Sequence, residues 1–288
     1  IFQRIKQGKG FRYLDKDGRV VREPILMDYF KSLVIPPAWT GVIINNSPRA
    51  KILATGYDAK GRKQYIYNPS FRQKKESEKF DRILRFAAQL EHMRRVTGQH
   101  LRKRKPTREK VLATMVRLLD TAFFRPGNDY YSKSNKSYGL TTLRSRHLTI
   151  DGDEMIFSYK GKSGQEQEKR IVDERLTKIV KELDELPGYE IFKYYDENGV
   201  LQDVKSNHLN EYIREVMGDE FSAKDFRTWA GTVIAAIALR ELGAVEEKDQ
   251  KTLRKNIRDA VVSVSEKLGN TPAIARSYYI DQRVIEHY

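Results

Sequence analysis

Residues 268–280 read LGNTPAIARSYYI, and upstream of them residues 224–229 read KDFRTW. Thr271-Pro272 is a helix-start signal, because threonine can cap and proline fits the first helical position. A short segment opened there closes on Tyr279. Further back lie Lys162 in YKGKSG (159–164) and Arg125 in FFRPGN (123–128). Arg227 falls near the start of an apolar helix beside Phe226 and Trp229, three residues after Lys224. The residues named are two arginines, two lysines and a tyrosine, and these segments hold no acidic metal cluster. A phenol oxygen can attack a phosphodiester, and arginine forks suit the extra negative charge on a pentavalent phosphorus.

Each residue also has an ordinary reading. A basic residue such as Arg125 after a helix often only complements the helix dipole. A lysine at a hairpin tip, as Lys162 would be, is commonly soluble surface. Arg227 in an apolar setting needs an anionic partner, and Asp225 stands close in sequence. Gly161-Lys162-Ser163 evokes a phosphate-binding loop, but that loop requires glycine at 156, where Ile156 stands. A lone tyrosine at 279 would be a core residue. Only the combination favours chemistry.

The composition points the same way. The chain has 288 residues, 39% of them hydrophobic, with 54 Lys plus Arg against 39 Asp plus Glu and a net charge of +15. That excess implies a polyanionic partner, with nucleic acid the usual one. The absence of cysteine excludes disulfides and thiolate zinc sites and fits a reducing cytoplasm. No apolar run approaches the ~20 residues needed to span a bilayer, and no signal peptide is visible. The five histidines lack metal-ligand spacing; His147 sits in a strand-like run and reads as structural.

The expected fold class is α+β: a small, mostly β amino-terminal domain (1–75) and a larger, mainly helical catalytic domain (76–288) holding a three-stranded antiparallel sheet. Residues 11–22 read as a hairpin turning at Asp17-Gly18, 25–34 as a short helix, and 41–45, 51–55 and 64–68 as strands. On the last strand Lys63, Tyr65 and Tyr67 share one face, with Gln64 and Ile66 opposite. Helical spacing marks 76–97 and 108–123, the latter with Val111, Met115, Leu118, Leu119 and Ala122 on one face. Residues 101–110, LRKRKPTREK, read as a phosphate-facing connector. The β patch spans 138–172, and helices follow at 173–185, 205–217, 225–242 (burying Phe226, Ala230, Val233 and Ile237) and 249–268.

The order Arg125, Lys162, Lys224-x-x-Arg227, Asn270, Tyr279 resembles the type IB DNA topoisomerases of the small bacterial and poxvirus kind. IPPAW (35–39) and ATGYDAKGRKQYIYNP (54–69) are similar to that family's amino-terminal domain; FRPGN, YGLTTLRSRHL (138–148), KGKSG, KDFRTWAGT and LGNTPAIARSYYI are similar to its catalytic domain. The resemblance implies that Tyr279 forms a 3′-phosphotyrosyl link, that Arg125 and Arg227 bind the non-bridging oxygens, that Lys162 protonates the leaving 5′ oxygen and that Lys224 assists. It implies DNA contacts from Gln64, Tyr65 and Tyr67 and a phosphate contact from Tyr131; Lys63 joins them because the strand face it shares with the two tyrosines, if exposed, is a nucleic-acid reading surface. It also implies a monomer clamped round double-stranded DNA, working without cofactor or metal in the bacterial nucleoid. Asn270 stands where poxvirus and nuclear enzymes carry histidine; an amide can hydrogen-bond a phosphate oxygen but cannot act as an imidazolium. Two rival readings share the fold. A tyrosine recombinase would usually carry histidine at 224, and a non-catalytic DNA-binding protein would have no need of the intact set.

Overall fold

The computed structural model describes every residue except 247 and 248, and every side chain except those and residues 72–77. The chain forms two compact units, Ile1–Asp81 and Arg82–Tyr288.

The first unit is built on a five-stranded antiparallel sheet of order β2-β1-β3-β4-β5, from β1 (Phe2–Gln7), β2 (Gly10–Leu14), β3 (Thr40–Ile44), β4 (Ile52–Tyr57) and β5 (Lys63–Tyr67). Helix α1 (Pro24–Ser32) covers one face and drives Phe30 into a core of Leu33, Ile35, Val42, Ile44, Leu53 and Ala54. The IPPAW segment is fastened by a buried arginine: Arg4 donates to the carbonyls of Ile35, Pro36 and Trp39 at 2.9, 2.9 and 3.0 Å.

The expected 11–22 hairpin forms only beside its turn, while β2 pairs along its length with β1. The Asp15 carboxylate accepts from the backbone of Asp17 and Arg19, so the turn at 15–18 is tight. Beyond it Leu14 bridges Val20, and the Asp15 and Val21 N–H groups donate to the Arg19 and Tyr13 carbonyls, both at 2.9 Å; the pairing stops there as the chain turns towards Pro24 at the start of α1. On β5 the expected alternation holds. Lys63, Tyr65 and Tyr67 are exposed, with the two tyrosine rings stacked at 6.0 Å, while Gln64 lies on the other face and donates to Asp58 at 2.8 Å.

Helix α2 (Pro69–His100) leads towards α3 (Arg108–Ala122), the central rod of the second unit. Thr107 caps α3. Beyond the five residues expected on one face, Lys110, Leu112, Ala113, Thr114 and Val116 are also buried, so α3 is enclosed rather than amphipathic. Around it pack α5 (Glu174–Asp184), α6 (Ser206–Met217) and α7 (Ala223–Leu242), after the short α4 (Asp129–Asn135). The antiparallel sheet β6 (Leu148–Asp151), β7 (Glu154–Lys160), β8 (Glu166–Val172) closes one side, and a two-stranded ribbon, β9 (Lys193–Tyr195) and β10 (Leu201–Asp203), another.

Three particulars differ from expectation. Residues 140–142 and 145–147 form 3-10 turns where strand was expected, and His147 lies buried in the second, accepting from the Arg144 backbone at 3.1 Å. On α7, Ile237 is 51% exposed, because the opposite side of the helix packs against α8 (Gln250–Leu268). In the 101–110 stretch, Lys103, Arg108 and Lys110 are paired with Glu109, Glu215 and Glu182, which removes half of the charge read as phosphate-facing. The chain ends with α9 (Pro272–Tyr278) and α10 (Gln282–Glu286).

Candidate active site

The site is assembled at the carboxyl end of α8. Gly269 takes the left-handed conformation, φ +61, that ends a helix cheaply, and the Asn270 N–H returns to the Ser265 carbonyl at 2.9 Å. The last carbonyls of such a helix lack partners within it and carry its partial negative charge. Here three successive carbonyls receive three cations. Lys169 Nζ donates to Lys267 at 2.6 Å, Arg227 Nη2 to Leu268 at 2.8 Å, and Arg125 Nη2 to Gly269 at 3.0 Å. Arg125 also donates to Asn270 Oδ1. A guanidinium can only donate, which fixes the amide orientation and leaves Asn270 Nδ2 buried with no partner.

Arg125 is delivered by a shaped loop. Phe123 ends α3 in the left-handed region, φ 59, and its carbonyl accepts from Arg227 Nη1. Phe124 is buried against Phe157 and Tyr159. The YGLTT segment then pins the loop: Leu140 and Thr141 donate to the Arg125 and Pro126 carbonyls, both at 2.8 Å. Two glycines make this approach possible, since a Cβ on Gly139 would lie 2.6 Å from Gly127 Cα.

Arg227 is 2% exposed. Its sequence neighbour Asp225 is not its partner; that carboxylate accepts from the Ser222 backbone and pairs with Arg82 at 2.5 Å. Among the described residues Arg227 has no carboxylate, only carbonyls and the Tyr279 ring, 5.0 Å beneath its guanidinium.

Thr271 caps α9, accepting from Ile274, so the segment folds as its sequence implies and sets Tyr279 just past the last turn. The tyrosine backbone lies directly on α7: a Cβ on Gly231 would come within 2.6 Å of the Tyr279 carbonyl oxygen. Thr232 Oγ1 donates to that same oxygen at 3.2 Å. Burial alone would raise the Tyr279 pKa, but Arg227, through its charge and a hydrogen bond, and then Arg125 and Lys224 outweigh it and leave the phenol below its usual value. Tyr278 is turned to the surface. Burial, then Arg227 and Arg125, bring the Lys169 ammonium down to about 8.

The structure therefore gathers Arg125, Arg227, Asn270 and Tyr279, with Lys224 exposed in the first turn of α7 and close enough to act on the phenol. Lys162 is not in this group. It sits exposed in the turn Lys162–Gly164 between β7 and β8, where Ser163 adopts φ 64, and makes no hydrogen bond or ion pair with the gathered residues. Tyr131 stands on α4, 44% exposed and edge-on to Tyr130. Lys63, Gln64, Tyr65 and Tyr67 belong to the first unit. Sequence reasoning missed Lys169, Gly231 and the Gly127–Gly139 contact. The period-2 spacing of Gln167, Lys169 and Ile171 was the available signal for the first of these.

A phenol whose pKa is lowered beside two guanidiniums, neither paired with a carboxylate among the described residues, is an arrangement chemically able to attack a phosphodiester. Residues 68–287 match the family described as eukaryotic DNA topoisomerase I, catalytic core. Residues 10–58 match that described as bacterial DNA topoisomerase IB, N-terminal domain. DNA topoisomerase 1B of Acanthamoeba polyphaga mimivirus is 33% identical over 96% of this chain and 84% of its own length. DNA topoisomerase I of monkeypox virus and DNA topoisomerase 1B of vaccinia virus are each 26% identical, over 82% of this chain and 72% of theirs. The chain belongs to the type IB DNA topoisomerase family, whose members are isomerases acting on DNA, and the recombinase reading is not favoured. No helix among the described residues is long and apolar enough to cross a membrane.

Proposed function

We propose that this protein relaxes supercoiled DNA by transient single-strand cleavage, with Tyr279 as nucleophile. The observation that carries the reading is the Tyr279 phenol beneath Arg227, its pKa lowered by neighbouring cations that have no carboxylate of their own among the described residues. The phenol oxygen gives up its proton to water and attacks phosphorus; the bond from phosphorus to the 5′ oxygen breaks and a 3′-phosphotyrosyl ester forms. Arg125 and Arg227 stabilise the added negative charge, and Asn270 Nδ2, a buried donor without a partner, supplies a neutral hydrogen bond. Lys224 assists from the mouth of the site. The leaving alkoxide needs a proton, which Lys162 delivers from its exposed turn when the β7–β8 hairpin meets bound DNA. One phosphoester replaces another, so religation requires no ATP, and torsion escapes while the 5′ end is free.

In this reading the β-rich lobe, residues 1–75, and the catalytic lobe, 76–288, close as a monomeric clamp round the duplex in the bacterial nucleoid. Lys63, Gln64, Tyr65 and Tyr67 touch DNA from the first lobe, and Tyr131 a phosphate from the second. The solvent-facing, stacked Tyr65–Tyr67 pair supports that surface.

Incubation with supercoiled plasmid in EDTA should give relaxed circles, and detergent should trap an adduct that maps to Tyr279. Tyr279→Phe should abolish both while retaining DNA binding. Unchanged topology with wild-type protein, or normal relaxation by Tyr279→Phe, would overturn the reading.

A further inference from the structure

Lys169 has no part in the chemistry just described, yet it is docked in the same row as the two arginines. Its ammonium takes the Lys267 carbonyl, one residue before the carbonyl held by Arg227 and two before that held by Arg125. Strand β8 meets this helix end a second time through Gln167. That side chain lies so close over Gly269 that a Cβ there would fall 2.0 Å from its Oε1. Gln167 and Lys169 are alternate residues, so both reach α8 from one face of the strand, the face that also buries Ile171.

We propose that Lys169 is a positioning residue of this site: holding the Lys267 carbonyl, it sets the end of α8 whose next two carbonyls aim Arg227 and Arg125, and it adds a third positive charge beside them. The proposal rests on Tyr279 being the nucleophile. A lysine serving only to complete a helix end would gain nothing from two guanidinium neighbours, and like charges at short range oppose one another. Such a cluster is at ease only when an anion occupies it.

The charged and titratable groups around Lys169 are cationic or engaged elsewhere. Arg227 faces it from α7 and Arg125 from the loop after α3. Tyr159 on β7 shares both arginines, but burial pushes its phenol up to about 12. α8 contributes a backbone carbonyl. On α3, which also packs on β8, Lys110 is held by Glu182 and Asp120 by Arg94. Glu168 and Arg170, its neighbours along the strand, pair with each other at 2.9 Å.

The test is single-turnover adduct formation on a duplex oligonucleotide, from about pH 6 to about pH 10, for wild type, Lys169→Met, Lys169→Gln and Lys169→Arg. Duplex affinity and Tm are measured in parallel. Glutamine can keep the hydrogen bond to Lys267 without the charge. At pH 7 the methionine and glutamine variants should form adduct ~10-fold more slowly, with affinity within about twofold, and arginine should restore most of the rate. The deficit should shrink as pH rises past about 8, where wild-type Lys169 itself discharges; a purely structural role would leave it constant. Equal rates for wild type and Lys169→Gln, or a deficit independent of pH, would overturn the proposal alone. No adduct from wild type would overturn the nucleophile assignment and this inference with it.

Discussion

Two groups of cations in this protein are handled in opposite ways. In the 101–110 stretch, Lys103, Arg108 and Lys110 each meet a glutamate, at 2.9, 3.1 and 3.0 Å. At the end of α8, Arg125, Arg227 and Lys169 meet, among the described residues, carbonyls, an amide oxygen and an aromatic face, and no carboxylate. Both groups look alike as letters. The first is neutralised where it stands and serves the fold. The second is left short of negative charge, held in place by dipoles that orient a cation without cancelling it. The difference teaches that counting basic residues locates affinity for an anion poorly; what matters is which cations the fold has left unmatched.

Replacing a member of the unmatched group should have the largest effect. Arg125→Ala should slow adduct formation by ~10²–10³, with Arg125→Lys recovering only part, since an ammonium cannot reproduce the planar fork. A loss below about threefold in a single-turnover assay would break the contrast. A smaller effect is expected at Gly231. The Cβ of Gly231→Ala must displace the Tyr279 backbone, and a misplacement of about 1 Å can cost up to ~10²-fold; we expect a loss of about 10-fold in adduct rate at unchanged duplex affinity.

The smallest effects belong to the matched group. Glu109→Gln should leave cleavage unchanged and reduce stability by about 0.2–1 kcal/mol at neutral pH, measured by urea unfolding. The sign of its pH dependence follows from the hydrogen bond with Lys103, which holds the Glu109 carboxylate at about 2 against an ordinary 4.5. The unfolded chain binds the extra proton in that window, so the stabilisation is present above pH 4.5 and fades as pH falls towards 2. The difference between wild type and variant should close over the same range. A cleavage defect in Glu109→Gln would show that the matched group is not confined to the fold.

Much of this was legible in the sequence. Thr271-Pro272 declared the start of α9 and therefore the place of Tyr279, and period-2 alternation placed Lys63, Tyr65 and Tyr67 on one side of β5. The sequence marks Arg227 as an ion needing a partner but does not show the partners it has within the fold, because backbone carbonyls are the same at every residue and leave no trace in a sequence. Period-2 spacing puts Lys169 on one face of β8 with Gln167 and Ile171, but its carbonyl partner is equally unmarked. Gly231 and Gly139 were unreadable because their role is to be absent where another backbone passes. Ile237 was misplaced because periodicity gives the spacing of a stripe and not which helix will cover it.

Phe123 couples the two arginines. A bulky residue in the left-handed region is uncommon, and here its carbonyl is clasped by Arg227 while the next two residues lead to Arg125. The guanidinium that would grip one phosphate oxygen thus also steadies the bend presenting its twin. Losses from removing the two arginines should not sum: they behave as a single forked instrument whose tines share one handle.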